Sequence, residues 1–136
     1  MADPRHPRGL IDTSVVIDLQ LIEPADLPLE LAVSAITMAE LAAGPHATAD
    51  PAERARRQDR LQRAEATFEP LPVNTAVARA YGRVYAALGA AGRKARGRRA
   101  VDLFIAATAV AAGLPLYTRN PDDFAGLSEM LEIVSV

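Results

Sequence analysis

Short apolar, β-branched runs alternate with helix-like stretches along this chain, and that alternation leaves few folds open. Leu10 to Asp12 reads as the end of a buried strand, Leu31 to Ser34 ("LAVS") as a second, "LPLYT" as a third and "LEIVSV" as a last one. "EPLPV" is a further strand candidate, weakened by its prolines. Between them, "TSVVIDLQL" has helical spacing at Val15, Val16, Leu19 and Ile22, and "AITMAELAAG" is helical by composition, stopped by Gly44 and Pro45. Asp50 and Pro51 suit the cap and first position of an amphipathic helix, and Asn74 suits the cap of another. That second helix repeats apolar residues at Val77, Tyr81, Val84, Tyr85 and Leu88. "AVDLFIAATAVAAG" is apolar nearly all round, which predicts a central, covered helix. Strands separated by helices are joined by crossovers and not by hairpins, so the expected class is α/β. Its centre is a mainly parallel twisted sheet of about four to five strands, flanked by helices in three layers.

Size and composition narrow what such a sheet can be used for. The 136 residues fit one domain, residues 1–136, with residues 1–8 a polar leader lacking the apolar core of a signal peptide. The longest apolar stretch, from Leu103, is broken by Gly113 and Pro115 and is shorter than the roughly 20 residues needed to span a bilayer. The expectation is a cytoplasmic protein with no membrane partner. There are no cysteines, which excludes disulfides and thiolate metal sites. A formal net charge of −2 argues against binding nucleic acid by bulk charge alone. The charge is unevenly spread, however: "RKARGRR" gathers Arg93, Lys94, Arg96, Arg98 and Arg99 just before the apolar helix.

Four carboxylates stand next to predicted core: Asp12 at a strand end, Glu40 and Asp102 as the sole charges in their helices, and Asp123 just beyond "LPLYT". Each has a structural explanation taken singly. Asp12 can cap the helix that follows; Glu40 can face solvent; Asp102, in the first turn of its helix, can complement the helix dipole. Asp122 and Asp123 can be first-turn acids after an Asn120 cap. Together they point elsewhere, because ligands of α/β sheets bind beyond the carboxyl ends of the strands. Hard cations such as magnesium or manganese are held there by a few carboxylates plus water and phosphate oxygens. His6 and His46 are isolated, so no histidine cluster competes. An all-oxygen acidic site points to phosphoryl chemistry, with Thr13, Ser14 and Asn120 placed to orient ligands or water.

The segments "LIDTSVVIDL", "SAITMAELAAG" and "RRAVDLFIAATAVAAGLPLYTRNPDDF" resemble, in order and spacing, the PIN-domain ribonucleases, and specifically the VapC toxins of bacterial toxin–antitoxin pairs. The likeness runs from about Leu10 to the C-terminus. It implies Mg²⁺- or Mn²⁺-dependent endonuclease activity on RNA, with the acidic quartet on Asp12, Glu40, Asp102 and Asp123. Asp12 and Asp102 would be direct metal ligands, Glu40 would bind metal or activate water, and Asp123 would act through water or a second ion. Thr13, Thr118 and Asn120 match polar positions lining the family's site. The resemblance further implies a cognate VapB-type antitoxin that covers apolar grooves near the N-terminal helices, and a homodimer.

The basic segment is expected as a loop whose Arg93, Lys94, Arg96, Arg98 and Arg99 lead the RNA backbone toward an acidic site that would otherwise repel it. The arginines of "ERARRQDRLQR", interleaved with Glu53, Asp59 and Glu65, read as an ordinary solvated face or a partner contact. Two other classes fit less well. A receiver-type signalling domain needs a lysine after a late strand, and the one lysine is Lys94. A PIN-like domain that binds RNA or a protein without cleaving has no need of all four acidic positions.

Overall fold

The computed structural model describes residues 5–92 and 97–136, with Arg98 described in its backbone alone. Four strands, β1 (Arg8–Ile11), β2 (Glu30–Ala32), β3 (Leu116–Thr118) and β4 (Ile133–Ser135), form one sheet in the order β2-β1-β3-β4. Every pairing is parallel: Leu10 lies opposite Ala32 on one side and Leu116 on the other, and Tyr117 lies opposite Val134. Five α-helices supply most of the crossovers: α1 (Thr13–Ile17), α2 (Ala35–Ala43), α3 (Pro51–Thr67), α4 (Thr75–Ala90) and α5 (Arg98–Ala112).

The central strands read as unbroken apolar runs because both faces are covered. Successive side chains point to opposite sides of a strand. Leu10 and Leu116 therefore enter one half of the core, with Val77, Val84 and Leu88 of α4 and Leu103 and Ile105 of α5. Ile11 and Tyr117 enter the other half, with Val15 and Val16 of α1, Leu41 of α2 and Ala64 of α3. Ala106, Ala107 and Ala109 are fully buried along α5, and their small side chains let that helix lie close to both its neighbours and the sheet. Gly113, with φ of +67°, ends α5 in the left-handed conformation, while Leu114 N–H returns to Ala109 C=O at 3.0 Å.

Asp12, Asp50 and Asn74 cap their helices as their positions predict, accepting from Val15, Ala52 and Val77 backbone N–H groups. Ser34, read from sequence as a strand end, also caps α2, accepting from Thr37 N–H at 3.0 Å. Other expectations are corrected. "EPLPV" contributes only an isolated bridge from Leu71 to Ser34, since its prolines cannot sustain a ladder. "TSVVIDLQL" divides into α1 and a single 3-10 turn, Leu19–Leu21. Tyr85 is exposed, on the outer side of α4. The loop expected through Arg99 ends earlier, because α5 already begins at Arg98. Asn120 gives no side-chain cap to the 3-10 turn Pro121–Phe124.

Gly9 occupies the middle of the central strand for a steric reason. A Cβ there would stand 2.6 Å from Tyr117 Cε1 and 3.1 Å from Pro28 Cγ, both on buried residues. Gly9→Ala is expected to lower stability by about 1–3 kcal/mol through overpacking. The check is urea unfolding, with a lower midpoint at unchanged m-value; an unchanged midpoint would mean that the ring moves aside freely.

Candidate active site

In an all-parallel sheet the carboxyl ends of the strands share one edge. Asp12 follows β1 and Thr118 ends β3 there. Helices returning to the next strand start at the same edge, which brings the N-terminal parts of α2 and α5 to it. Glu40 lies in α2 and Asp102 in the second turn of α5, while Asp123 lies in the 3-10 turn directly after β3. The elements pack accordingly, α2 against α1 and α5, and α5 against the 3-10 turn. Thus the fold carries all four acidic positions to one end of the sheet. Asp102 lies beyond the first turn, where a helix dipole acts most strongly, so the dipole explanation for it weakens.

Asp12 is the most deeply placed of the four, at 6 % exposure. Its Oδ1 accepts from Val15 N–H at 3.1 Å and from Ser14 Oγ–H at 2.5 Å. Ser14 Oγ in turn accepts from Arg119 N–H at 3.1 Å, and Asp12 N–H donates to Tyr117 C=O at 3.1 Å. Side chain and backbone thereby fasten the ends of β1 and β3 together. Both side-chain bonds of Asp12 fall on Oδ1, so Oδ2 has no partner among the described residues.

Glu40 is held differently. Its Oε1 receives the Thr13 hydroxyl at 2.5 Å, and Thr13 Oγ1 also lies 3.1 Å from Thr37 Oγ1. A hydroxyl has one proton, so with Thr13 committed to Glu40 the Thr37 hydroxyl must donate to Thr13. Ser34 Oγ, 3.4 Å from Thr37 Oγ1, completes a buried polar row leading to the carboxylate. Thr37 and Ser34 were missed at sequence level. The spacing I-T-x-x-E, which puts Thr37 and Glu40 on one helix face, was the available signal.

Thr118 is buried and its Oγ1 accepts from Asn120 N–H at 3.0 Å, while the Asn120 side chain is exposed. Asp123 is half-buried and Asp122 exposed, which favours the former as the inward carboxylate. Arg119 Nε pairs with Asp18 Oδ2 at 3.4 Å. Among the described residues, no three His, Asp or Glu side chains form a closed metal-holding group. The carboxylates share an edge, and Glu40 is turned to Thr13. His6 has a partly exposed side chain: its Nε2 lies 2.6 Å from Glu132 Oε2, and its ring meets Tyr117 edge-on. Arg93, Lys94 and Arg96 lie outside the described residues, as does the Arg98 side chain; Arg99 is half-buried at the start of α5.

Residues 9–129 match the PIN domain family. The chain belongs to that family. Within it, the PIN domain is 37% identical over 133 residues to Ribonuclease VapC5 of Mycobacterium tuberculosis, covering 94% of this chain and 95% of the relative. It is 41% identical over 102 residues to Ribonuclease VapC8 of the same organism, covering 74% and 89%. A crystal structure of VapBC-5 from Mycobacterium tuberculosis, a toxin–antitoxin system, superposes with a TM-score of 0.81 at 36% identity, over 96% of this chain and 99% of that one. The PIN domain is thus a VapC ribonuclease by family, with the parallel α/β architecture its sequence predicted. No described helix is long and apolar enough to cross a membrane.

The cap at Asp12 separates two roles of one side chain. Asp12→Asn keeps an oxygen for Val15 N–H, whereas Asp12→Ala removes it, so the alanine variant should be less stable than the asparagine variant by about 0.5–2 kcal/mol. Chemical denaturation of the two proteins side by side measures this, and equal stability would show that the cap contributes nothing.

Proposed function

We propose that this PIN domain is a metal-dependent endoribonuclease toxin that hydrolyses RNA phosphodiesters at the carboxyl edge of its sheet, held in check by a VapB-type antitoxin. The observation that carries the reading is the buried Asp12 carboxylate, with one oxygen fixed by Ser14 and Val15 and the other left without a described partner. An ionised carboxylate so far from water is costly unless a countercharge meets it. The donor set is all oxygen, which suits Mg²⁺ or Mn²⁺. Asp12 and Asp102 would hold the ion directly, with Glu40 and Asp123 as further ligands or through water. When bound, such an ion supplies a nucleophilic water and neutralises charge growing on the attacked phosphate.

The chain's own contribution is placement. Ser14 fixes the Asp12 carboxylate relative to β3, and Thr13, backed by Thr37 and Ser34, fixes Glu40. Thr118 and Asn120 shape the turn that brings Asp123 to the edge. Water would add at phosphorus as one P–O ester bond breaks, with Glu40 taking the water's proton and the departing oxygen acquiring a proton from solvent. Toxin–antitoxin assemblies among the similar structures support the antitoxin partner. A homodimer and a guiding role for Arg93, Lys94, Arg96, Arg98 and Arg99 belong to the same reading.

The test pairs stability with cleavage. Mg²⁺ or Mn²⁺ at about 100 times its dissociation constant should stabilise the wild type by about 2.7 kcal/mol. Asp102→Asn should keep or gain metal-free stability, by relief of carboxylate repulsion, while losing that response, and Asp12→Ala should abolish RNA cleavage. A thermal unfolding curve indifferent to both cations would overturn the assignment.

A further inference from the structure

Helix α3 carries five arginines, and four have partners. Arg54 donates to the Pro45 and Thr48 carbonyls, Arg56 and Arg57 share Glu53, and Arg63 pairs with Asp59. Hydrogen bonds from Arg56 and then Arg57 hold the Glu53 carboxyl below its usual range, so that acid is already matched. Arg60 is half-buried and has no hydrogen bond or ion pair among the described residues. A guanidinium with five donors, set into a hollow and spent on nothing among the described residues, calls for an anion from outside.

The hollow has a definite position. One cavity of about 350 Å³ runs between Thr13 and Glu40 on one side and Arg57 and Arg60 on the other. A second, of about 300 Å³, continues past Arg60 to Gln20, Arg63 and Phe68. The two share Ile17 and Arg60, so they form one groove whose lining includes Glu40. Along its α3 wall Arg57, Arg60 and Arg63 recur every third residue, each about 4.5 Å further along the helix axis. Ile17, 44 % exposed, and Phe68 supply apolar surface on which base faces can lie.

We propose that this groove is the track for single-stranded RNA leading to the acidic edge, and that Arg60 is the residue that grips a backbone phosphate beside Glu40. It departs from the reading of α3 as an ordinary solvated face or a partner contact, and it rests on the proposed ribonuclease function. A polyanion entering a site built of carboxylates needs a fixed cation close by, and Arg60 lies in the same hollow as Glu40. Arg60 is a positioning residue and takes no part in bond making.

The experiment uses the full chain carrying Asp12→Asn, so that cleavage does not consume the probe, and a fluorescein-labelled random-sequence RNA dodecamer followed by anisotropy across a salt series. Adding Arg60→Gln should weaken binding by about tenfold at low salt and reduce the log–log salt slope by about 0.7, one phosphate contact on a single strand. Arg60→Lys should keep the slope and part of the affinity, because it retains the charge and loses the fork. Arg79→Gln, on α4 away from the groove, should change neither, and all variants should melt at the parent temperature. Affinity within twofold of the parent at an unchanged slope, or loss confined to an acidic Glu-rich dodecapeptide while RNA binding is spared, would overturn the inference. So would absence of RNA binding by the Asp12→Asn protein at 20 mM salt (~20 mM, where phosphate contacts are strongest). A wild type that binds through Arg60 without cleaving would fail the ribonuclease reading alone.

Discussion

A carboxylate at the end of the central strand, almost wholly removed from water, is the constraint around which this structure is arranged. Burying an ionised group is unfavourable by several kcal/mol unless hydrogen bonds and a countercharge meet it. Asp12 obtains the hydrogen bonds from its own helix and from Ser14, and Ser14 obtains its second bond from the backbone after β3. The demand of one oxygen therefore fixes which strands are neighbours. The same bonds that make the residue tolerable also fix its direction, so capping and the proposed metal-holding role use one geometry.

The remaining architecture keeps that edge rigid. Both faces of β1 and β3 are buried, and α5 presses fully buried alanines against its neighbours. Thr108, a hydroxyl inside this apolar helix, satisfies itself on Phe104 C=O at 2.8 Å, so it brings no unmet polar group into the core. Asp102 thus stands on a well-packed element and Asp123 on a turn anchored by buried Phe124. Rigid elements position side chains more closely than loops do, which suits chemistry that consists mainly of placement.

Much of this was legible in the residues. The alternation of apolar runs with helical periods gave the parallel sheet, because period-2 and period-3.6 patterns do not interchange. Asp12, Asp50 and Asn74 announced helix starts, and the isolated charges Glu40 and Asp102 marked the edge. Other features depend on tertiary neighbours. Nothing local distinguishes Tyr81, half-buried and stacked on Phe104 at 4.3 Å, from exposed Tyr85 one turn later. The start of α5 at Arg98 was hidden because a run of cations carries no capping signal, and Gly97 precedes it with no side chain to cap. Ser34 looked like a strand residue since its role depends on Thr37 three positions on. The distinctness of Arg60 among five arginines could not be read at all, because it lies in which partners the others had taken.

The bond from Arg119 N–H to Ser14 Oγ joins residues 105 positions apart. Contacts so remote form late, since the loop between them must first be closed. On the ribosome, where a chain emerges N-terminus first, β1 must wait for nearly the whole polypeptide before β3 can lie beside it. A nascent fragment that stops short of Leu116 lacks β3 and β4, and so cannot complete the edge beyond β1. The strand order thereby ties completion of that edge to near-completion of the chain itself.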